Sequence, residues 1–218
     1  MIGAVIAMQS EADILLREMK ISRSLTVSGK PVYVGNAFGK DVALCVCGVG
    51  KVNAALGTQL LVSKFDAEKI LNFGVAGGLN KRTELCEVYQ ISAAVQFDFD
   101  LVQLNGTKIG TLNEYQENYL HLNLFNKKLA RRLLGTADRF NDSKQDFLLL
   151  TQELGADIRD MEGAAVVQAA FSASLPVYCV KAISDVAGSG STTEQFLCNK
   201  DKALQNLQTV LPAIFEEL

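Results

Sequence analysis

The chain has 218 residues, of which 49% are hydrophobic and 21% charged, with a formal net charge of −3. That length can bury a large core, and no Gly/Ser/Pro-rich linker or charge block marks a boundary, so we predict one domain over residues 1–218. The charge balance lacks the basic footprint of a nucleic-acid binder, and no apolar run approaches the ~18 residues that a membrane span needs. We therefore expect neither nucleic acid nor a membrane as a partner.

Cysteine and histidine usage narrows the chemistry further. The five cysteines are odd in number, and Cys45 and Cys47 lie in a strand-like run, which fits reduced thiols in a cytoplasmic protein. His121 is the single histidine and no CxxC pair exists, so we expect no metal site. The same scarcity excludes Ser-His-Asp and Cys-His catalysis unless His121 is itself placed for it.

Hydrophobic periodicity predicts strands that alternate with helices. A buried strand is expected over 2–7, followed by a helix that begins near Ser10, with Asp13 in a capping-box-like position, and reaches about Met19. Residues 129–136 fit a strand or the end of a helix, and the polar stretch 98–119 predicts no clear element. The remaining predicted strands are 32–36, 42–47, 70–75, 88–97 and 176–183, and the remaining helices are 51–65, 144–154, 161–173 and 193–218. This alternation predicts an α/β fold with a largely parallel or mixed sheet.

Three acidic residues stand where predicted strands end or helices begin. Asp185 follows the apolar strand at 176–183, and Glu11 and Glu162 lie near helix starts. Because the carboxyl ends of parallel strands meet at one edge, where ligands usually bind, the three carboxylates are expected to share a site for a small polar substrate. Each also has a purely structural interpretation, since the helix dipole favours an acid in the first turn by ~0.3–1 kcal/mol and Asp185 could cap a turn.

Two glycine turns, at 48–50 and 74–78, also follow predicted strands. Glycine lets a ligand approach the backbone there, and a helix that follows offers free N–H groups. Neither turn matches the GxGxxG or GxxxxGKS pattern of nucleotide-cofactor sites, so we expect no cofactor.

Five motifs occur in a specific order: IAMQSE at 6–11, GVGKVNAA at 48–55, GVAGG at 74–78, DMEGAA at 160–165 and AISDVA at 182–187. Together they resemble the 5′-methylthioadenosine/S-adenosylhomocysteine nucleosidases of the nucleoside phosphorylase superfamily, over roughly residues 1–95 and 133–218. The resemblance implies a three-layer α/β/α fold around a mixed, partly barrel-like central sheet, and a homodimer. It further implies hydrolysis of the N-glycosidic bond of an adenine thionucleoside, which releases adenine and a 5-thioribose.

The resemblance also implies residue roles. Glu11 matches the general base that activates water, Asp185 the acid that supplies a proton to purine N7, and Glu162 the carboxylate that holds the ribose hydroxyls. Donation by Asp185 requires that its pKa be raised, which we expect from burial and neighbouring acids. The other implied substrate contacts are Met8, Val49, Gly77, Phe140 as the ring stacked on adenine, the backbone of Asn141, Met161 and Ser184.

Departures from the family pattern leave alternatives open. Phosphorolytic relatives carry an arginine where this chain has Asn72, followed by Phe73, so water is the expected nucleophile. Lys181 replaces a usual arginine, Val75 replaces a common serine, and region 98–132, which helps form the dimer face and the 5′ pocket in relatives, is shortened. The alternatives are a hydrolase or phosphorylase for another nucleoside, such as futalosine or deoxyadenosine, and a catalytically silent nucleoside-binding module.

Overall fold

The computed structural model describes residues 1–113, 115–125, 129–140 and 142–218. Over these ranges, no helix has both the length and the apolar character needed to cross a membrane. The elements in chain order are β1 (Ile2–Ile6), α1 (Gln9–Leu16), β2 (Met19–Val27), β3 (Lys30–Ala37), β4 (Lys40–Val46), α2 (Lys51–Phe65), β5 (Lys69–Gly78), β6 (Val88–Gln96), α3 (Val102–Asn105), β7 (Leu120–His121), β8 (Arg131–Thr136), α4 (Lys144–Leu148) with a π-helical continuation (Leu149–Glu153), β9 (Ile158–Asp160), α5 (Gly163–Ser172), β10 (Val177–Val186) and α6 (Thr192–Glu217).

The strands join in one mixed sheet. Their order is β10-β6-β8-β9-β5-β1-β4-β3-β2, with β7 paired to β6. Because β5 also pairs with β10, the strands β5, β10, β6, β8 and β9 close into a barrel, from which β1, β4, β3 and β2 extend as an open sheet. The predicted mixed, partly barrel-like sheet is therefore confirmed.

Helices cover both faces of this sheet. On one face, α2 and α5 pack together over a core that includes Val5 and Ile70. On the other face, α1 and α6 pack over a core that includes Ile6 and Leu71. Successive strand residues point to opposite faces, so β1 and β5 must be apolar at nearly every position to be buried on both. The predicted three-layer α/β/α arrangement is confirmed.

The start of the chain differs in detail from its prediction. Ser10 does not begin α1, because the N-cap is Met8 and the carboxylate of Glu11 accepts a hydrogen bond from the Met8 N–H at 3.0 Å. The helix ends at Leu16 rather than near Met19, because Met19 begins β2, which pairs antiparallel with β3. The capping acid is thus the residue that the sequence also marked as a candidate for catalysis.

Candidate active site

A cavity of about 350 Å³ lies where β1, β5, β9 and β10 end and where α1, α2, α5 and α6 begin. Its volume is typical of a small-molecule site. The predicted site residues that line it are Met8, Glu11, Val49, Gly77, Phe140, Met161, Glu162, Ser184 and Asp185. Asn141, also predicted, lies outside the described residues.

Glu11 is buried and held by the backbone at both carboxylate oxygens. The Val75 N–H donates to Oε1 at 2.8 Å, and the Met8 N–H donates to Oε2 at 3.0 Å. Gly74 makes room for this arrangement, since a Cβ at that position would lie 2.5 Å from Oε1. Burial raises the pKa of Glu11, and the charge of Lys181 and the two N–H donors oppose the rise. The result is a fixed carboxylate that can gain and release a proton.

Glu162 is the N-cap residue of α5 and is tied to the glycine turn that precedes α2. The Gly50 N–H donates to its Oε1 at 2.8 Å. The pKa of Glu162 is raised to about 7, mainly because the group is buried. The charge of the nearby Asp160 adds to this rise, and the charge of Lys181 opposes it. One of the two glycine turns therefore meets a carboxylate through its backbone, as a helix N-terminus does with an anion.

Lys181 supplies the buried positive charge among these acids. Its Nζ lies 2.9 Å from Oδ2 of Asp160, and both side chains are buried. Asp160 also accepts hydrogen bonds from the Thr136 hydroxyl at 2.5 Å and from the Gly163 N–H at 2.9 Å. Burial alone would lower the pKa of Lys181, but Asp160, Glu162 and other anionic neighbours outweigh it and raise the pKa. Lys181 is thus held as a cation.

Asp185 lies on β10, which pairs with one edge of β5, and the short strand β9 pairs with the other edge. Gly77 pairs with Asp185 of β10 and with Arg159 of β9, so the three residues stand in a row across adjacent strands. The Ser184 hydroxyl donates to Asp185 Oδ2 at 2.9 Å, and Arg159 Nη2 lies 3.9 Å from Oδ1. Burial raises the pKa of Asp185, Ser184 and Arg159 oppose the rise, and Asp142 adds to it. The direction agrees with the expectation for a proton donor.

Arg159 is a cavity residue that the sequence analysis did not single out. Its position directly before the DMEGAA motif was the available signal. Thr193, Phe196 and Leu197 at the start of α6 were also missed, although their i, i+3, i+4 spacing marks one helix face. Phe196 meets Phe140 edge-to-face with ring centroids 5.8 Å apart, and Phe140 remains 49% exposed at the cavity rim.

Asn72 stands where phosphorolytic relatives are expected to carry a phosphate-binding arginine, and it is buried in β5. Its Nδ2 donates to the Val5 carbonyl at 2.8 Å, and the Cys179 thiol lies 3.3 Å from its Oδ1. Among the cavity-lining residues that the structure describes, the arginines are Arg139 and Arg159. Arg139 Nη1 lies 3.0 Å from Asp146 Oδ1, and Arg159 lies beside Asp185.

The arrangement can handle opposite charges at two ends of one ligand. Burial raises the pKa of all three carboxyl groups, but the charge of Lys181 opposes the rise at Glu11 and Glu162, whereas Ser184 and Arg159 oppose it at Asp185. Carboxyl groups with different charged neighbours can take different roles as proton acceptor and proton donor. The cavity can therefore move protons at both partners of a bond that breaks heterolytically.

Comparisons with known proteins agree with this architecture. A family model described as the phosphorylase superfamily matches residues 1–216. A 5′-methylthioadenosine/S-adenosylhomocysteine nucleosidase of Marinomonas sp. is 33% identical over 205 residues, which are 87% of each protein. The structure of such a nucleosidase from Colwellia psychrerythraea, solved in complex with adenine, is 26% identical with a TM-score of 0.90 and covers 99% of this chain and 95% of that one. A futalosine hydrolase structure from Helicobacter pylori shares the fold at 23% identity, with a TM-score of 0.90 over 100% of this chain and 97% of that one.

Proposed function

Because this chain belongs to the phosphorylase superfamily and, within it, to the 5′-methylthioadenosine/S-adenosylhomocysteine nucleosidase family, we propose that it hydrolyses the N-glycosidic bond of those two nucleosides. The products are adenine and a 5-thioribose. The observation that carries the proposal is that Glu11, Glu162 and Asp185 line one cavity, although they come from three separate parts of the chain. A silent binding module could use Glu162 to hold the ribose, but it would have no use for a buried base such as Glu11 that activates water.

Asp185 is the proposed acid at the base. Cleavage of the bond between C1′ and N9 leaves negative charge on the purine, and a proton delivered to N7 neutralises it. Burial favours the protonated carboxyl group, which is the form that can donate. A positioned acid of this kind typically contributes ~10²–10⁴-fold to the rate.

Glu11 and Glu162 act at the sugar in this proposal. Oε1 of Glu162 is occupied by the Gly50 N–H, so Oε2 is the oxygen proposed to accept from the ribose hydroxyls. Its negative charge also favours the oxocarbenium character of C1′ in the transition state. Glu11 takes a proton from water as the water oxygen bonds to C1′ and the electron pair of the broken bond passes to N9. The proton lost to Glu11 and the proton given by Asp185 balance the hydrolysis.

The remaining predicted contacts position the nucleoside. Phe140 is proposed to stack on adenine, since half of its surface is open at the rim. The backbone of Asn141 stays the predicted reader of the base edge. Met8, Val49 and Met161 give apolar contact for the sugar and its thioether.

Water rather than phosphate is the proposed nucleophile because Asn72 supplies no cation and its amide is hydrogen-bonded inside the sheet. The test is to incubate the purified protein with 5′-methylthioadenosine, with and without phosphate, and to quantify adenine and the sugar product. Phosphate-independent adenine release with free 5-methylthioribose supports the proposal. A phosphate requirement with a sugar phosphate as product indicates a phosphorylase, and tight binding without turnover indicates a silent module.

The same assay discriminates other nucleosides. Futalosine, which differs from 5′-methylthioadenosine in both the base and the 5′ group, and 5′-deoxyadenosine, which differs in the 5′ group alone, would reveal a different preferred nucleoside by a higher kcat/KM. Preference for either one by a large factor would overturn the thionucleoside assignment while leaving the glycosidic chemistry in place.

A homodimer in the cytoplasm is the proposed working form. Val52 and Leu56 expose 70% and 55% of their surfaces on α2, next to the cavity residue Val49, and a second copy would cover them. The thiols of Cys45, Cys47, Cys86, Cys179 and Cys198 are unbridged, which suits a reducing compartment. Light scattering coupled to size exclusion tests the dimer: wild type should run at twice the chain mass of 23.6 kDa, and Leu56→Glu should shift it toward the monomer.

A further inference from the structure

We propose that Lys30 is a positioning residue for sugar recognition: through Asn53, it holds the peptide group between Val49 and Gly50 in the orientation whose N–H binds Glu162. The inference rests on the proposed function, because it takes Glu162 to hold the ribose hydroxyls. It deepens that function by giving a role to a buried lysine that does not itself line the cavity.

Lys30 is a buried cation that binds neutral oxygens. It begins β3, and because Val32 pairs with Cys45 of β4, Lys30 lies level with Cys47. Its Nζ donates to the Cys47 carbonyl and, at 2.9 Å, to Asn53 Oδ1. Lys30 takes part in none of the ion pairs formed among the described residues. Burial of an ammonium group is costly, and apolar side chains often replace buried charges without loss of stability, so stability alone does not explain this lysine.

Asn53 links Lys30 to the glycine turn at 48–50. It is the third residue of α2, and its Nδ2 donates to the Val49 carbonyl at 2.8 Å. An ammonium group can only donate and a carbonyl can only accept, so these two contacts together fit one orientation of the amide. Gly48 makes room for the amide, since a Cβ there would lie 3.2 Å from Nδ2.

One planar peptide group then links Asn53 to Glu162. The Val49 carbonyl and the Gly50 N–H belong to the same trans peptide group, so they point in opposite directions and turn together. The N–H donates to Glu162 Oε1 at 2.8 Å, while the carbonyl accepts from Asn53. Gly48 and Gly50 have φ values of 92° and 101°, and glycine has wide backbone freedom. Without the bond from Asn53, this peptide group is free to rotate and to withdraw its N–H from Glu162.

The experiment measures how strongly cleavage depends on the ribose hydroxyls. The quantity is the ratio of kcat/KM for 5′-methylthioadenosine to that for its 2′-deoxy or 3′-deoxy analogue. Glu162→Ala should lower the ratio for at least one analogue by about 10- to 100-fold, the effect of one hydrogen bond to a charged group. Lys30→Met should lower the same ratio by about 3- to 10-fold, the effect of one ordinary hydrogen bond. A lysine with only a structural role would lower kcat/KM alike for all three substrates and leave the ratio unchanged.

Two further variants sharpen the test. Asn53→Asp keeps an oxygen for Lys30 but loses the donor to Val49, so it should lower the ratio as Lys30→Met does, even if the latter folds poorly. Lys20→Met, which changes an exposed lysine of β2, is the matched control and should leave the ratio at the wild-type value. In a Glu162→Ala background, Lys30→Met should change the ratio no further, because the lysine acts through that carboxylate.

The outcomes separate this inference from the proposed function. An unchanged ratio in Lys30→Met or in Asn53→Asp, while Glu162→Ala lowers it, would overturn the inference and leave the proposed function standing. An equal fall caused by Lys30→Met without Glu162 would also overturn it. Unchanged ratios for both analogues in Glu162→Ala would instead count against the ribose role of Glu162 in the proposed function.

Discussion

The Nζ of Lys181 lies 2.9 Å from Oδ2 of Asp160, which lines the cavity, and both side chains are buried. This pair does more than join two strands. Lys181 is the cation whose charge opposes the raised pKa values of both Glu11 and Glu162. The ionisation of the proposed general base and of the proposed ribose ligand is therefore coupled to one lysine.

Replacement of Lys181 should lower the free energy of unfolding by an amount that depends on pH. Lys181→Met leaves Asp160 buried without its counter-charge, and removal of one partner of a buried ion pair costs about 3–5 kcal/mol. The free energy of unfolding, measured with urea at pH 8, should fall by that amount. At pH 5 the loss should be smaller, because the uncompensated acids take up protons. Lys181→Arg keeps the charge and is the control; equal losses in the two variants would show that packing, not charge, matters here.

Ionisation of Glu162 should lower the free energy of unfolding. Its pKa is raised from 4.5 to about 7 in the fold, so the folded state holds the proton more tightly and stability is lost as pH rises from about 4.5 through 7. Glu162→Gln keeps an oxygen for the Gly50 N–H and should raise the free energy of unfolding at pH 8 by about 1–3 kcal/mol, with little change at pH 4. The exposed Glu216→Gln is the control. A variant that is less stable than wild type at pH 8 would contradict the assigned environment.

The pH dependence of kcat/KM should be bell-shaped. The acidic limb reports protonation of Glu11 and Glu162; burial raises both pKa values, that of Glu162 to about 7, so protonation of Glu162 should lower activity already near neutral pH. The alkaline limb reports loss of the proton from Asp185. The limbs are properties of the coupled group rather than of single residues. Activity that stays level from pH 8 down to pH 5 would argue against carboxylates in these states.

Gly74→Ala should impair chemistry through Glu11. The added Cβ would lie 2.5 Å from Oε1, so the carboxylate must leave its position against the Val75 N–H. A misplacement of about 1 Å can lower the rate by about 10²-fold. Single-turnover kinetics on methylthioadenosine measure the effect, and thermal unfolding checks that the variant is folded. A folded variant with the wild-type rate would show that the position of Glu11 is not critical.

The core elements could be predicted because burial on both faces leaves unbroken apolar runs, as in β1 and β5. The helix Lys51–Phe65 was predicted with its observed bounds from the glycine turn that precedes it and from its helical apolar spacing; in the structure, Asp66 ends it in a left-handed conformation. The edge strand β2 was not predicted, because most of its side chains are exposed and Arg23 interrupts the alternation of apolar residues where the strand shifts register against β3. The barrel was expected from the family resemblance alone; hydrophobic periodicity does not predict it, since closure depends on pairing between strands distant in sequence.

In the site too, some residues could be predicted from local sequence and others could not. Glu11, Glu162 and Asp185 could be placed from strand and helix ends, which are local features. The meeting of Arg159 with Asp185 could not, because it depends on the register of two separate strands against Gly77. The pairing of Lys181 with Asp160 is likewise set by the spatial order of β9, β5 and β10. Thr193 and Phe196 reach the cavity only because α6 begins beside it.

The rate of methylthioadenosine cleavage by Asp185→Asn in a single turnover tests the central claim most directly. The account predicts a rate about 10²–10⁴-fold below that of wild type, with substrate affinity within about tenfold, because the amide keeps the shape but cannot supply a proton to N7. Asp201→Asn, which changes an exposed acid, should keep the wild-type rate. An Asp185→Asn protein that cleaves methylthioadenosine at nearly the wild-type rate would contradict the account.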